Sequence, residues 1–231
     1  MKILKHNCIA MDENVYIVYD ENTMEGVIID PGMDAAQIMG AIDKSGIKVK
    51  AILLTHGHGD HIGAVPELQE YYKCPIAAHK EEKYILNDVS VNLSDMFGGG
   101  IELEADIEFK DGDVYDISDN LQFTVLHTPG HTPGGCCFYC EKESVVFSGD
   151  TLFYGSIGRT DFPWRGVKSP GGPERTDFMS AMKRSRKNMA IIAESIRTKL
   201  YTLPDETRVF PGHGPETSIG QEKRINGFVR P

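Results

Sequence analysis

The hexapeptide His56 Gly57 His58 Gly59 Asp60 His61 constrains this chain more than any other feature. It puts three imidazoles and a carboxylate into a stretch so short that all four must lie at one spot. Neutral imidazole is the commonest protein ligand for zinc, and an aspartate adds a hard oxygen that also suits iron or manganese. Val49 to Leu54 before it is apolar and β-favouring. After it, Ile62, Val65, Leu68 and Tyr72 follow helical spacing. The cluster is therefore expected at the C-terminal end of a strand, with Asp60 and His61 at a helix N-terminus. Alone, Asp60 reads equally well as a helix cap; the flanking histidines favour a ligand.

The opening third alternates β-rich runs with turn signals. Ile3 to Ile9, Val15 to Tyr19 and Gly26 to Ile29 read as an antiparallel meander, the last strand stopped by Asp30 Pro31 Gly32. Asp34 with Gln37 resembles a capping box ahead of the stripe Ile38, Ala41, Ile42, and Gly46 is a stop signal. Strands return at Val114 to Ile117, Leu121 to Leu126, Cys136 to Tyr139 and Val145 to Phe147. From Thr176 a three-four spacing through Phe178, Met182, Ser185, Met189, Ile192, Ile196 and Leu200 predicts one long helix or two short ones. A last strand at Arg208 to Phe210 precedes a short helix opened by Ser218 and Gln221, and Leu93 to Gly100 reads as a loop.

A chain of 231 residues with 40% hydrophobic and 25% charged residues fits a single domain spanning 1–231 with an ordinary core. The net charge of −10 disfavours nucleic acid and anionic membrane as partners. No apolar run is long enough to span a bilayer, and the N-terminus lacks the pattern of a signal peptide. The five cysteines are an odd number in a chain too large to need staples, which fits a reducing cytoplasm. Cys137 and Cys140 form a CxxC with no second pair and read as reduced strand residues.

Three further segments share a grammar of strand, sharp turn and donor: Leu126 to Gly134 with His131, Phe147 to Thr151 with Asp150, and Val209 to His213. Each alone is an ordinary polar turn. Together with the hexapeptide they form an ordered set that resembles the metallo-β-lactamase superfamily over nearly the whole chain. The resemblance implies an α/β (α+β) fold, a four-layer αβ/βα sandwich with two divalent metal ions at the edge of the paired sheets. It places His56, His58 and His131 on one ion, Asp60, His61 and His213 on the other, and Asp150 between them. Period-two geometry projects His56, His58 and Asp60 to one side of an extended loop, with His61 turning away at the helix entrance.

Within the superfamily, Ser148 to Phe162 is similar to the SGDxLFxGxxGRTDF stretch of glyoxalase II-like hydrolases and of persulfide dioxygenases. Members that open β-lactams usually lack an acid at the position of Asp150. Glyoxalase II proper continues into a further helical domain, whereas only 18 residues follow His213, so the short bacterial type is the nearer match. The implied activity is thioester hydrolysis of the hydroxyacylglutathione hydrolase kind, with a small-molecule thioester as partner. Two ions, zinc by preference with iron or manganese as alternatives, would share a hydroxide that attacks the carbonyl carbon. Asp60 and Asp150 would be the catalytic carboxylates, Asp60 orienting that hydroxide. The alternative is an oxygen-activating persulfide dioxygenase with one iron. RNA processing on the same fold, and a non-catalytic metal protein, rank below both.

Thr55 can orient a ligand through its hydroxyl, and Arg159 with Asp161 suits an ion pair behind the metals. His6, His79 and His127 fall outside the pattern. Between Trp164 and Lys187 seven basic residues face two acidic ones, which reads as a solvated charged face; the resemblance to the short glyoxalase II-like proteins, which usually pass from the RTDFP turn almost directly to the next helix, implies an insertion at about 164–187.

Overall fold

The computed structural model describes residues 1–9, 11–97, 99–161 and 178–231. Its first half runs β1 (Lys2–Cys8), β2 (Glu13–Tyr19), β3 (Glu25–Ile29), α1 (Ala35–Ser45), β4 (Lys48–Leu54), α2 (Gly59–Ile62), α3 (Val65–Tyr72), β5 (Ile76–His79), α4 (Lys83–Leu86) and β6 (Ile107–Phe109). These six strands form one sheet in sequential order. The β1–β2–β3 meander is antiparallel as expected, and β3 to β6 are mutually parallel. The second half runs β7 (Val114–Ser118), β8 (Leu121–His127), β9 (Cys136–Cys140), β10 (Val145–Gly149), the small hairpin β11 (Leu152–Phe153) and β12 (Ser156–Ile157), α5 (Phe178–Ser195), β13 (Arg208–Pro211), β14 (Thr217–Ser218) and α6 (Ile219–Ile225). Its sheet has the order β14-β13-β10-β9-β8-β7, with β10 and β13 parallel.

Strand alternation sorts the side chains into three apolar layers. Tyr16, Val18, Val27, Ile29, Ala51 and Leu53 from the first sheet meet Phe123, Phe138, Phe147 and Phe210 from the second. The opposite face of the first sheet, through Ile17, Ile28, Ile52 and Leu54, packs on Ile38 and Ile42 of α1 and on Val65 and Leu68 of α3. The outer face of the second sheet, through Cys137, Val146 and Val209, packs on Ile192, Ile196, Leu200 and Ile219. Two sheets face to face with helices outside them make the expected four-layer sandwich. Each buried aromatic at the sheet interface contributes about 1.5–3 kcal/mol by leaving water.

Several local expectations change. Asp34 does not cap α1: it stands in left-handed backbone (φ 62°) without a side-chain cap bond. Its carboxylate instead accepts from Ile9 N and contacts His6 Nε2. Gly46 does end α1, donating to the carbonyls of Asp43 and Ile42. The helix expected from Ile62 to Tyr72 is broken after α2, because Ala64 N bonds to Pro31 O at 3.0 Å before α3 begins. The Leu93–Gly100 stretch contains a 3-10 turn at Ser94–Phe97. The long C-terminal helix is single, α5 running on through a π turn at Ile196–Leu200. Ser218 caps α6 by accepting from Gln221 N, as its sequence predicts. Of the basic stretch at 164–187, residues 164–177 lie outside the described residues; Lys183, Arg186 and Lys187 on α5 are exposed. All five cysteines are free and buried.

Candidate metal centre

The C-terminal ends of β4, β8, β10 and β13 meet at one edge of the sandwich. From β4 the backbone stays extended through His58 (φ −70°, ψ 150°) and then enters α2, so period-two geometry ends at His58. Asp60 consequently faces His61 and His213 and not the side of His56 and His58. Two groups of donors result, His56 with His58 and His131, and Asp60 with His61 and His213, each with ligand atoms within 4.8 Å of one another. Asp150 stands between them: Oδ1 is 3.4 Å from His61 Nε2 and 3.8 Å from His213 Nε2, and Oδ2 is 3.5 Å from His131 Nε2. His213 Nε2 lies 3.3 Å from Asp60 Oδ2.

Close backbone approach makes this convergence possible at two glycines. Gly149, at φ +47°, abuts Thr55, where a Cβ would sit 2.1 Å from Oγ1. A Cβ on Gly212 would lie 2.6 Å from both Asp150 Oδ1 and His61 Cε1. Any larger residue at either place would push the two halves of the site apart.

The surrounding hydrogen bonds fix the histidine tautomers. Thr55 donates its hydroxyl proton to Asp30 Oδ2 at 2.6 Å, so the same oxygen must accept from His56 Nδ1 at 3.1 Å. Asp30 Oδ2 also accepts from His61 Nδ1 at 3.1 Å, and the carbonyl of Arg159 accepts from His131 Nδ1 at 2.8 Å. In all three rings a proton sits on Nδ1; in His56 and His131 the Nε2 lone pair points inward, and in His61 Nε2 faces Asp150 and is bared when a cation displaces its second proton. His56 Nε2, His61 Nε2 and Asp150 Oδ1 are buried without a hydrogen-bond partner. His58 Nδ1 lies 2.9 Å from His131 Nε2, a separation that requires a proton or a cation between two lone pairs. Orphaned buried acceptors cost free energy unless something electropositive meets them. The donor set therefore fits divalent ions.

Electrostatics point the same way. Burial first, then the neighbouring rings, hold His56 well below the ordinary histidine range and His58 at about 3, and burial lowers His131 as well. All three are neutral near pH 7, the form that ligates. Burial opposes ionisation of Asp60 and Asp150, but the charge of His61 outweighs it, bringing Asp60 to about 2 and Asp150 below the usual carboxylate range. Against the effect of burial, the carboxylates Asp150 and Asp60 raise His61. His213 is likewise raised, chiefly by its hydrogen bond to Asp60. Those two protons are the ones a cation would displace.

Thr55 thus stands where its hydroxyl was expected to act, on His56. Arg159 and Asp161 form the expected ion pair, at 2.9–3.0 Å, with 67% and 55% of their side chains exposed. Arg159 meets the site through its backbone carbonyl, which accepts from His131 Nδ1 at 2.8 Å. His79 and His127 stack on each other at 3.9 Å, away from the two donor groups.

Three buried acids escaped the sequence reading. Asp30, read only as a strand stop, accepts from Thr55 N, Thr55 Oγ1 and His61. Glu82 accepts from Gly57 N (2.9 Å), Thr132 Oγ1 (3.0 Å) and Gly134 N (2.8 Å), tying the hexapeptide loop to the His131 loop. Burial pushes Glu82 up to about 7. Glu13 is fully buried with Oε1 3.9 Å from His61 Nδ1. A lone acid after a strand carries no pattern; only the DPG turn at Asp30 offered a signal.

Among the described residues, no helix is long and apolar enough to cross a membrane. Residues 10–213 match the sequence profile of the metallo-β-lactamase superfamily. The chain is 34% identical to the hydroxyacylglutathione hydrolase GloC of Haemophilus influenzae, over 95% of this chain and 94% of that one. It is 37% identical to the probable metallo-hydrolase YqgX of Bacillus subtilis, over 94% and 92% of the two chains. Among solved structures, the B3 metallo-β-lactamase BLEG-1 superposes with a TM-score of 0.81 at 35% identity, covering 99% of both chains. TTHA1623 in a di-iron-bound form gives 0.76 at 32% identity, covering 98% of this chain and 100% of that one. ETHE1 from Myxococcus xanthus gives 0.73 at 27% identity, covering 98% and 84%. With its seven donors gathered at the edge of a four-layer sandwich, the chain belongs to the metallo-β-lactamase superfamily.

Proposed function

We propose that this protein is a binuclear metallohydrolase that cleaves small-molecule thioesters of the hydroxyacylglutathione kind. The observation that carries the reading is the pair of donor groups, His56/His58/His131 and Asp60/His61/His213, with Asp150 within 3.4–3.8 Å of His61, His131 and His213. A carboxylate in that position can touch two cations at once. The kinship with a hydroxyacylglutathione hydrolase directs the substrate choice to thioesters. Zinc is the metal the histidine-rich set suits best, and the di-iron relative makes iron the alternative.

Two bound divalent ions would supply hydroxide near neutral pH and polarise the thioester carbonyl. The protein's own groups do the rest. Asp60, in the first turn of α2, presents an ionised oxygen that accepts a hydrogen bond from the attacking water and aims its lone pair at the carbonyl carbon. Asp150 fixes the spacing of the two donor groups. Asp30, Thr55 and the Arg159 carbonyl hold His61, His56 and His131 with a proton on Nδ1, which leaves Nε2 as the nitrogen to meet a cation. No serine or cysteine nucleophile is needed; the cysteines near the site, Cys136 and Cys137, are buried with their thiols pushed up by burial.

Metal-replete protein, assayed on hydroxyacylglutathione, other thioesters, lactones, a β-lactam and glutathione persulfide, tests the proposal. Free thiol should appear from a thioester, stop on chelation, and be accompanied by no oxygen uptake. Oxygen consumption with the persulfide, or β-lactam opening in place of thiol release, would overturn it.

A further inference from the structure

Away from the centre, one more set of donor side chains converges. His6 and Cys8 are alternate residues of β1 and share one face of the strand. Asp34 comes to them from the turn before α1, and one donor atom of each residue lies within 4.8 Å of the others. Asp34 Oδ2 is 3.1 Å from His6 Nε2. The cost of this arrangement is visible in the backbone. Asp34 holds φ at 62°, left-handed backbone that aspartate adopts more readily than most L-residues, and it gives up the capping bond its position before α1 offers.

The three donors suit one another chemically. The Cys8 thiol is buried, whereas His6 and Asp34 are partly exposed, so the set is closed on the protein side and open to water on the other. Cys8 Sγ accepts from Met33 N at 3.4 Å and donates to Met33 O at 3.6 Å, and burial with the neighbouring Glu13 pushes the thiol up, so these contacts fix its position beside the other two donors in the protonated form. Next to the thiol lies Glu13, fully buried, which faces both Cys8 and His61 and whose carboxyl burial pushes well above the ordinary range.

We propose that His6, Cys8 and Asp34 form a second, separate cation site that takes one borderline-soft divalent ion of the zinc type. The imidazole nitrogen, the sulfur and a carboxylate oxygen supply three positions of a tetrahedron, and solvent completes it. Binding forms a metal–sulfur bond as the S–H bond breaks; the proton leaves to water, and no group is oxidised or reduced. The ion would pin the β1–β2 turn to the start of α1. Glu13, which reaches both Cys8 and His61, separates this site from the main centre.

Cobalt(II) distinguishes the two sites, because the main centre offers only nitrogen and oxygen donors. Titrating metal-free protein with cobalt should produce a sulfur-to-cobalt charge-transfer band in the near ultraviolet whose final amplitude corresponds to one sulfur-ligated cobalt per chain, beside the two ions taken up by the main centre. Cys8→Ser should abolish the band while leaving the visible absorption of cobalt on histidine and aspartate. His6→Ala and Asp34→Ala, at partly exposed positions, should each weaken the cobalt affinity read at this band at least tenfold, and they carry the test if Cys8→Ser fails to fold. A wild-type protein with no such band, or a band that survives Cys8→Ser or is indifferent to both His6→Ala and Asp34→Ala, would overturn the proposal.

Discussion

On the first sheet, four donors come from six consecutive residues after β4, and buried carboxylates tie that loop down on both sides, Asp30 holding Thr55 and His61 and Glu82 holding Gly57. On the second sheet, three donors come from three separate turns, after β8, β10 and β13. Adjacency of the parallel strands β10 and β13 brings Asp150 beside His213, and β8 delivers His131 from the other side of β9. The first half is thus organised by local sequence and its hydrogen bonds, the second by long-range strand order. A local loop can be tuned by one neighbouring acid, whereas the topological half stands or falls with the sheet.

Asp150 belongs to both halves, so its change should be the most damaging. Asp150→Asn should lower kcat/KM for a thioester by about 10³-fold, the several kcal/mol expected when one ion no longer polarises the reacting atoms. Metal analysis on the same protein should show fewer than two ions at the centre. Retention of both ions and of activity would break the idea that the halves are joined through this residue.

Asp30→Ala removes support from the first half alone. Metal affinity measured against a competing chelator should fall by roughly 10–100-fold, with the sheets intact by circular dichroism. An unchanged affinity would mean that the loop holds its tautomers without help.

Glu82 sharpens the comparison through pH. Its carboxyl is raised to about 7 in the fold against an ordinary value of 4.5. The folded state therefore binds the proton more tightly, and the stability this contributes is complete below about 4.5 and is lost as pH rises through about 7. Between pH 5 and pH 8 the denaturant midpoint of the metal-free wild type should fall relative to that of Glu82→Gln, which lacks this titrating carboxyl. A constant difference between the two proteins across that range would place the titration elsewhere.

The smallest effect is expected at the surface, where Asp161→Asn breaks an exposed pair with Arg159. Stability should change by less than about 1 kcal/mol, read as the shift in denaturant midpoint.

The sequence makes the contiguous half of the site plain because HxHxDH needs no knowledge of the fold. His131, Asp150 and His213 are legible only as a set, since each alone is an ordinary turn residue. Asp30, Glu82 and Glu13 are not legible, because their importance lies in which backbone amides, hydroxyls and rings reach them across the structure. The same holds for secondary structure. The meander, α1 and β7 to β10 carry strong alternation or helical spacing, while β5 and β6, of 4 and 3 residues, are too short to show a period and exist through pairing with their neighbours. Asp34 misled as a cap because its carboxylate is engaged by His6 and Ile9.

Anomalous diffraction from zinc-loaded crystals tests the central claim most directly. The account predicts two peaks at the sheet edge, one within about 2.0–2.2 Å of nitrogens of His56, His58 and His131, the other equally close to Asp60, His61 and His213, with Asp150 touching both. A single peak at that edge, or two peaks with the Asp150 carboxylate turned away from either, would contradict it.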